Sequence, residues 1–418
     1  EREGFQLVDD VAMGDAAIVN TCGFIESAKQ ESIEEILELA KLKEEGRIKA
    51  IVVTGCLAER YQQEIAKELP EVSAVVGIGA NKEIARIVRE ALEGKRIETF
   101  PPKCELPLEG ERVQSTPSYF SYLKIAEGCD NHCTYCAIPL IRGGYRSRKM
   151  EDILAEAEKL AQWGVKELMV IAQDTTRYGE DLYGEGKLPQ LLTELCKVEG
   201  LRWIRVLYCY PERITDELLE VMAKEDKILK YMDLPLQHCS RQVLKAMNRH
   251  GDRESLSALI RKIREKVPGI VLRTTFMVGF PGETEEAFEE LAEFAKEMRF
   301  ERMGCFAYSQ EEGTPAARLP DQISREIKEH RQELMMEQQM ALMDEMSREM
   351  VGKTITVLNE GWDRYAECCF GRSAADAPEI DTKVFFTVEG KKPYPGMFVQ
   401  VEITDTMDCD LIGQVVTT

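Results

Sequence analysis

Short apolar runs alternate with helix-length amphipathic segments twice along this chain, first over residues 15–93 and again over residues 121–309. That alternation leaves few options. Parallel strands need a crossover between them, so the pattern implies α/β layers whose ligand-bearing loops lie at the carboxyl ends of the strands. In the first series residues 15–20 read as a buried strand, followed by Thr21-Cys22-Gly23 and a helix over 27–46 with Ile33, Ile36, Leu37 and Ala40 on one stripe. A strand at 50–54, a helix over 61–69 stopped by Pro70, a strand at 74–78 and a helix over 81–93 closed by Gly94 repeat the unit. The first fourteen residues hold no complete strand–helix unit, so this Rossmann-like parallel sheet, assigned to residues 1–98, is expected to be truncated at its start.

Residues 99–117, with Pro101, Pro102, Pro107 and Pro117, read as a linker. In the second series strands fall near 121–127, 167–173, 202–209, 230–236, 271–279 and 302–309, with helices near 150–163, 188–198, 215–224, 240–248, 252–266 and 284–298. Six βα units in this span predict a partial (βα)₆ barrel, because a full eight-unit barrel takes ~250 residues. A Met-rich amphipathic helix over 321–350 is expected to pack against it and to complete a core domain over 118–350. From 351 to 418 the period changes to alternation over five short strands, which predicts an all-β, OB-like barrel.

Charge narrows the partners. With 54 Lys+Arg against 75 Asp+Glu the net charge is −21, and the C-terminal barrel alone carries 6 − 11 = −5. Phosphate backbones need clustered cations, so this balance favours a basic protein over nucleic acid. No apolar run approaches the ~18–20 residues of a membrane span and no signal peptide opens the chain, so no membrane role and a cytoplasmic location are expected. The thirteen cysteines then read as thiols or metal ligands instead of a disulfide framework.

The sharpest motif is Gly128-Cys129-Asp130-Asn131-His132-Cys133-Thr134-Tyr135-Cys136, directly after the first strand of the second series. Three thiolates on a four-iron cluster leave one iron open for an exchangeable ligand, whereas zinc would want a fourth protein ligand, for which His132 is the local candidate. Cys22 and Cys56 each follow a strand of the first series, so both should emerge on the carboxyl edge of one sheet, where neighbouring strands lie ~4.8 Å apart. A pair of buried structural cysteines is the alternative.

The CxxxCxxC spacing, with Tyr135 before the last cysteine and a (βα)₆ pattern behind it, resembles the radical S-adenosylmethionine (SAM) enzymes. The resemblance implies a 4Fe–4S cluster on Cys129, Cys133 and Cys136 that binds SAM and cleaves it to a 5′-deoxyadenosyl radical. Over essentially all 418 residues the chain is similar to the radical SAM methylthiotransferases, which add an N-terminal domain with an auxiliary 4Fe–4S cluster and a C-terminal TRAM barrel. Cys22 in Asn-Thr-Cys-Gly-Phe-Ile and Cys56 in Thr-Gly-Cys-Leu match two auxiliary ligands, and the third is expected upstream of Glu1. The fold further implies SAM contacts at Tyr135 and at the strand ends Gln173, Asp174, Gln237 and Gly279, with His238 beside them. Phe280-Pro-Gly-Glu-Thr-Glu reads instead as a helix start capped by Thr284.

Within that family the run Ala172-Gln173-Asp174-Thr175-Thr176-Arg177-Tyr178-Gly179 resembles the branch acting on an aspartate of small-subunit ribosomal protein S-twelve. The segments 308–314 and 377–381 and the acidic charge point the same way. The resemblance implies an electron donor such as flavodoxin or ferredoxin, and a sulfur donor. A tRNA adenosine methylthiotransferase is the runner-up, and a non-catalytic iron–sulfur scaffold or electron carrier the third reading.

Overall fold

The first strand–helix series builds a four-stranded parallel sheet whose strands, Ala16–Thr21, Ala50–Gly55, Ala74–Val76 and Ile97–Thr99, lie side by side in sequence order. Ala50–Gly55 is buried along its whole length, as a central strand covered on both faces must be. Ile51 and Val53 pack under the helices Glu26–Glu44 and Cys56–Glu68, while Val52 joins Ile87, Val88 and Ala91 of Ile84–Leu92 on the other side. The computed structural model describes residues 2–416. It divides into two compact units, the first made of the chain through Glu111 together with Glu127–Arg146 and Ser309–Arg318.

Two elements differ from the sequence expectation. The fourth strand, Ile97–Thr99, falls across the boundary between sheet domain and linker and is not anticipated; three residues with an exposed centre carry too little pattern to be seen. The helix expected over 61–69 begins at Cys56, and Gln62 breaks it at φ 33°. The break resets the apolar stripe, which is why its first turn was invisible to periodicity.

The second unit holds the six parallel strands Phe120–Lys124, Glu167–Ile171, Trp203–Val206, Ile228–Asp233, Val271–Val278 and Arg302–Ala307, again in sequence order. Helices Met150–Gln162, Leu188–Cys196, Asp216–Lys224, Arg253–Lys266 and Glu285–Met298 follow successive strands. This is the partial (βα)₆ barrel expected. The helix Arg325–Arg348 lies against the last strand, its Gln332 donating to the Cys305 carbonyl at 3.0 Å and its Gln339 to that of Phe300 at 3.0 Å. Met335 of this helix is buried while Met340 is exposed, so the packing relies on amide side chains as much as on methionines.

Strands Thr354–Asp363, Cys368–Ser373, Val384–Thr387, Phe398–Met407 and Asp410–Val415 close into a five-stranded barrel in the same unit. Its Leu358, Ala377 and Phe398 share a core with Tyr119, Phe120, Met169, Trp203 and Tyr231 of the six-stranded sheet. A buried ionic network crosses this core. Glu167 accepts from Arg205 Nε at 2.9 Å and from Arg372 Nη2 at 2.8 Å, while Arg302 Nη2 reaches Asp376 at 2.5 Å. Among the described residues no helix is long and apolar enough to cross a membrane.

Candidate metal centre

In the first unit Thr21 pairs with Gly55, so Cys22 and Cys56 occupy equivalent positions one residue beyond neighbouring parallel strands. Gly55 is required there: its φ is 95°, and a Cβ would stand 2.5 Å from the Thr21 carbonyl oxygen. Cys22 is exposed; its N–H donates to Ser32 Oγ at 3.1 Å, and the Ser32 hydroxyl donates back to the Cys22 carbonyl. Cys56 is half-buried and opens its helix.

The CxxxCxxC loop belongs to the same unit. The Cys129 N–H donates to the Gly143 carbonyl at 3.2 Å, the Cys136 N–H to that of Cys133 at 3.0 Å, and the Tyr145 N–H to Asp130 at 3.1 Å. These bonds fold the loop back so that the three thiols become electrostatic neighbours. Burial pushes the Cys136 thiol up to about 12, and the adjacent Cys133 and Cys129 push the same way, against a 3.5 Å hydrogen bond from the Ile138 N–H. A metal deprotonates a coordinated thiol outright, so bound iron would offset the burial that disfavours the Cys136 thiolate. Among the described residues no three His, Cys, Asp or Glu side chains converge on a single-ion site. A four-iron cluster makes no such demand, because each thiolate takes its own iron. His132, the candidate fourth ligand for zinc, is exposed. The donor set therefore fits an iron–sulfur cluster.

Two charged groups that sequence reasoning missed tie these cysteines together. Arg142, at the end of the short helix Ile138–Arg142, donates from Nη2 to Cys56 Sγ at 3.4 Å, and its Nη1 lies 3.5 Å from the buried Glu127 carboxylate. Burial works to lower this guanidinium, yet Cys56 and Glu127, with Cys22 adding, hold it above its ordinary value. Glu311, in the segment 308–314, is buried and accepts from the Glu26 N–H at 3.0 Å, Ser309 Oγ at 2.7 Å and Arg60 Nη1 at 3.0 Å. The same Arg60 atom donates to the Gly23 carbonyl at 2.8 Å, beside Cys22. Just beyond this segment, the Ala316 N–H donates to the Thr134 carbonyl inside the cysteine loop at 2.9 Å. The sequence marks the 308–314 segment only by family likeness and Arg142 not at all, since the partners that bring them to the cysteines, Arg60 and Cys56, lie far along the chain.

The other candidate residues divide by exposure. Gln173 is exposed just past the strand Glu167–Ile171, and Tyr135 and Gln237 are half-buried. Asp174 is fully buried and taken up by Arg213 at 3.2 Å and by the Thr176 hydroxyl at 2.7 Å. Gln237 sits at φ 69°, its backbone bridging Thr275 and Met277 of the next strand. His238 is buried, with Nδ1 accepting from the Ser240 N–H at 2.9 Å and Nε2 3.6 Å from Glu283. Gly279 adopts φ 70° beneath Lys328, whose Cγ would lie 2.2 Å from an added Cβ, and its N–H donates to Glu283 at 2.9 Å. Gln173, Gln237 and Tyr135 thus keep surface for a ligand, while Asp174, His238 and Gly279 are engaged by the fold.

Comparison with known proteins accounts for the same three parts. The radical SAM superfamily profile matches residues 123–295, the TRAM domain profile residues 351–416, and that of the uncharacterized protein family UPF0004 residues 1–77. The chain is 49% identical to the ribosomal protein uS12 methylthiotransferase RimO of Clostridioides difficile, over 99% of this chain and 93% of the relative. It is 50% identical to the RimO of Desulforamulus reducens, over 99% and 94%, and 50% identical to that of Pelotomaculum thermopropionicum, over 100% and 94%. Among solved structures, the radical SAM methyltransferase TsrM from Kitasatospora setae, with cobalamin and a [4Fe-4S] cluster bound, superposes with a TM-score of 0.55. At 16% identity, over 72% of this chain and 65% of that one, the likeness speaks for the fold alone.

Proposed function

The chain belongs to the ribosomal protein uS12 methylthiotransferase RimO family of radical SAM proteins, and from that premise we propose that it methylthiolates the β-carbon of an aspartate in uS12 using two 4Fe–4S clusters. Its family implies a 4Fe–4S cluster and SAM. Cys129, Cys133 and Cys136 would hold the cluster that binds SAM, and Cys22 and Cys56 would contribute to the sulfur-carrying one. When bound, the two groups supply one-electron cleavage of SAM and the sulfur to be transferred. The residues of the chain do the rest. The three loop thiolates would each hold one iron of the cluster. Gln173, Gln237 and Tyr135 would each be available to the polar groups of SAM.

The observation that carries this reading is the placement of both cysteine sets in one compact unit, tied by Arg142 and by the Glu311 segment. An electron donor of the flavodoxin or ferredoxin class, an external sulfur donor and a cytoplasmic location complete the proposal. The test gives reconstituted protein a reductant, SAM and either uS12 or tRNA, with mass spectrometry to show which gains a methylthio group. Modification of uS12 is expected; modification of tRNA alone would replace the reading. Cys133→Ala should abolish 5′-deoxyadenosine formation, and retained formation would remove the cysteine loop from its role.

A further inference from the structure

Arg142 is placed where the two cysteine sets meet, and the proposed chemistry leaves it without a task. Its helix begins two residues after Cys136, so the loop that would hold one cluster delivers a guanidinium to a ligand of the other. The groups facing it are Cys56, Glu127, Cys22 and Glu59, the last also buried and 3.8 Å from Lys103. Glu127 lies 3.5 Å from Nη1, directly before the cysteine loop, and also accepts from the Gly128 N–H at 3.2 Å. The carboxylate therefore orients the fork, and the second nitrogen is directed to sulfur. Arginine suits that task, because its planar fork can bind a carboxylate on one nitrogen and a thiolate on the other.

We propose that Arg142 is a positioning residue for the auxiliary cluster: it donates a hydrogen bond to the Cys56 sulfur and raises the reduction potential of the cluster that sulfur holds. The inference rests on the two-cluster reading above. Hydrogen bonds to ligand sulfurs and nearby positive charge both favour the reduced, more negative cluster. Arg142 also makes the two centres interdependent, since displacing the cysteine loop withdraws the guanidinium from Cys56.

The test uses the enzyme reconstituted with iron and sulfide in a Cys129→Ala, Cys133→Ala, Cys136→Ala background, so that any remaining cluster signal belongs to the auxiliary site. Potentiometric titration followed by electron paramagnetic resonance is then compared for Arg142, Arg142→Lys and Arg142→Gln. Arg142→Gln should shift the midpoint to more negative potential and change the signal shape. Arg142→Lys, which keeps the charge but loses the fork, should fall between. Loss of auxiliary iron in Arg142→Gln, with thermal stability unchanged and iron kept in Arg142→Lys, would also support the assignment. An unchanged midpoint and signal in Arg142→Gln overturns it. So does loss of iron in both variants together with a lowered melting temperature, which would mark a general structural role. A background protein that holds no cluster at all overturns the two-cluster reading, and this inference falls with it.

Discussion

Glu167 is wholly buried between Arg205 and Arg372, and the closed barrel depends on it. Burial works to raise this carboxyl, but the two guanidinia together outweigh it and hold the group below its ordinary value. Glu167→Ala would leave two buried cations without their counter-charge, at a cost of about 3–5 kcal/mol. A fall in melting temperature, with the five-stranded barrel losing hydrogen-exchange protection first, is the expected result. The pH dependence follows from the same shift. A depressed native carboxyl stabilises the fold above its ordinary value of 4.5, and that contribution is lost as pH falls towards the lower native value. Asp376, held down by Arg302 against its own burial, adds a second loss of the same sign. Melting temperatures measured from pH 7 down to pH 3 should therefore fall less steeply in Glu167→Gln than in the parent chain. At this scale the cysteines were legible because CxxxCxxC is local in sequence. Glu167, Arg142 and Glu311 were not, because each finds its partners 38 or more residues away, or through a turn no pattern records.

Among the elements, the helix Glu285–Met298 shows what local chemistry can announce. Thr284 was expected to cap it, and its side chain accepts from the Ala287 N–H at 3.2 Å. Thr284→Ala should cost about 1 kcal/mol, seen as roughly five-fold faster hydrogen exchange at the Ala287 amide. The strands of the partial barrel were equally legible, since a buried parallel strand is a continuous apolar run bounded by turns. What escaped were elements whose signal is broken or brief. Gln62 interrupts the helix Cys56–Glu68, and Ile97–Thr99 is a strand only because Ala74–Val76 lies beside it. The run at 377–381, which carried only a family likeness, turns out to be a docking loop: Tyr231 donates to Asp381 at 2.6 Å, and the Ala377 N–H to the same carboxylate at 2.8 Å.

For the whole molecule, the net charge of −21 has a kinetic meaning. A basic ribosomal protein approaching an acidic enzyme is steered electrostatically, and screening at 0.15 M ionic strength confines that attraction to ~8 Å. The kcat/KM for uS12 should therefore fall as sodium chloride rises, mainly through KM, while SAM cleavage without uS12 stays nearly constant. A flat salt profile would remove charge from the account of substrate choice. The three-part order of the chain was readable in advance, because strand–helix and strand–strand periods differ plainly. The interleaving was not: the segments Glu127–Arg146 and Ser309–Arg318 fold with the N-terminal sheet although they lie on either side of most of the barrel.

That interleaving imposes a timetable on the chain's own synthesis. The N-terminal sheet emerges first, yet Arg142 follows later, and Glu311 only after nearly the whole barrel has been made. At translation speeds of ~5–20 residues per second, the interval between Glu111 and Ser309 lasts on the order of 10–40 s. Arg142 joins Cys56 early in that interval, while the Glu311 carboxylate that takes up Arg60 beside Cys22 arrives only at its end. The first compact unit is accordingly completed late, after most of the barrel has left the ribosome.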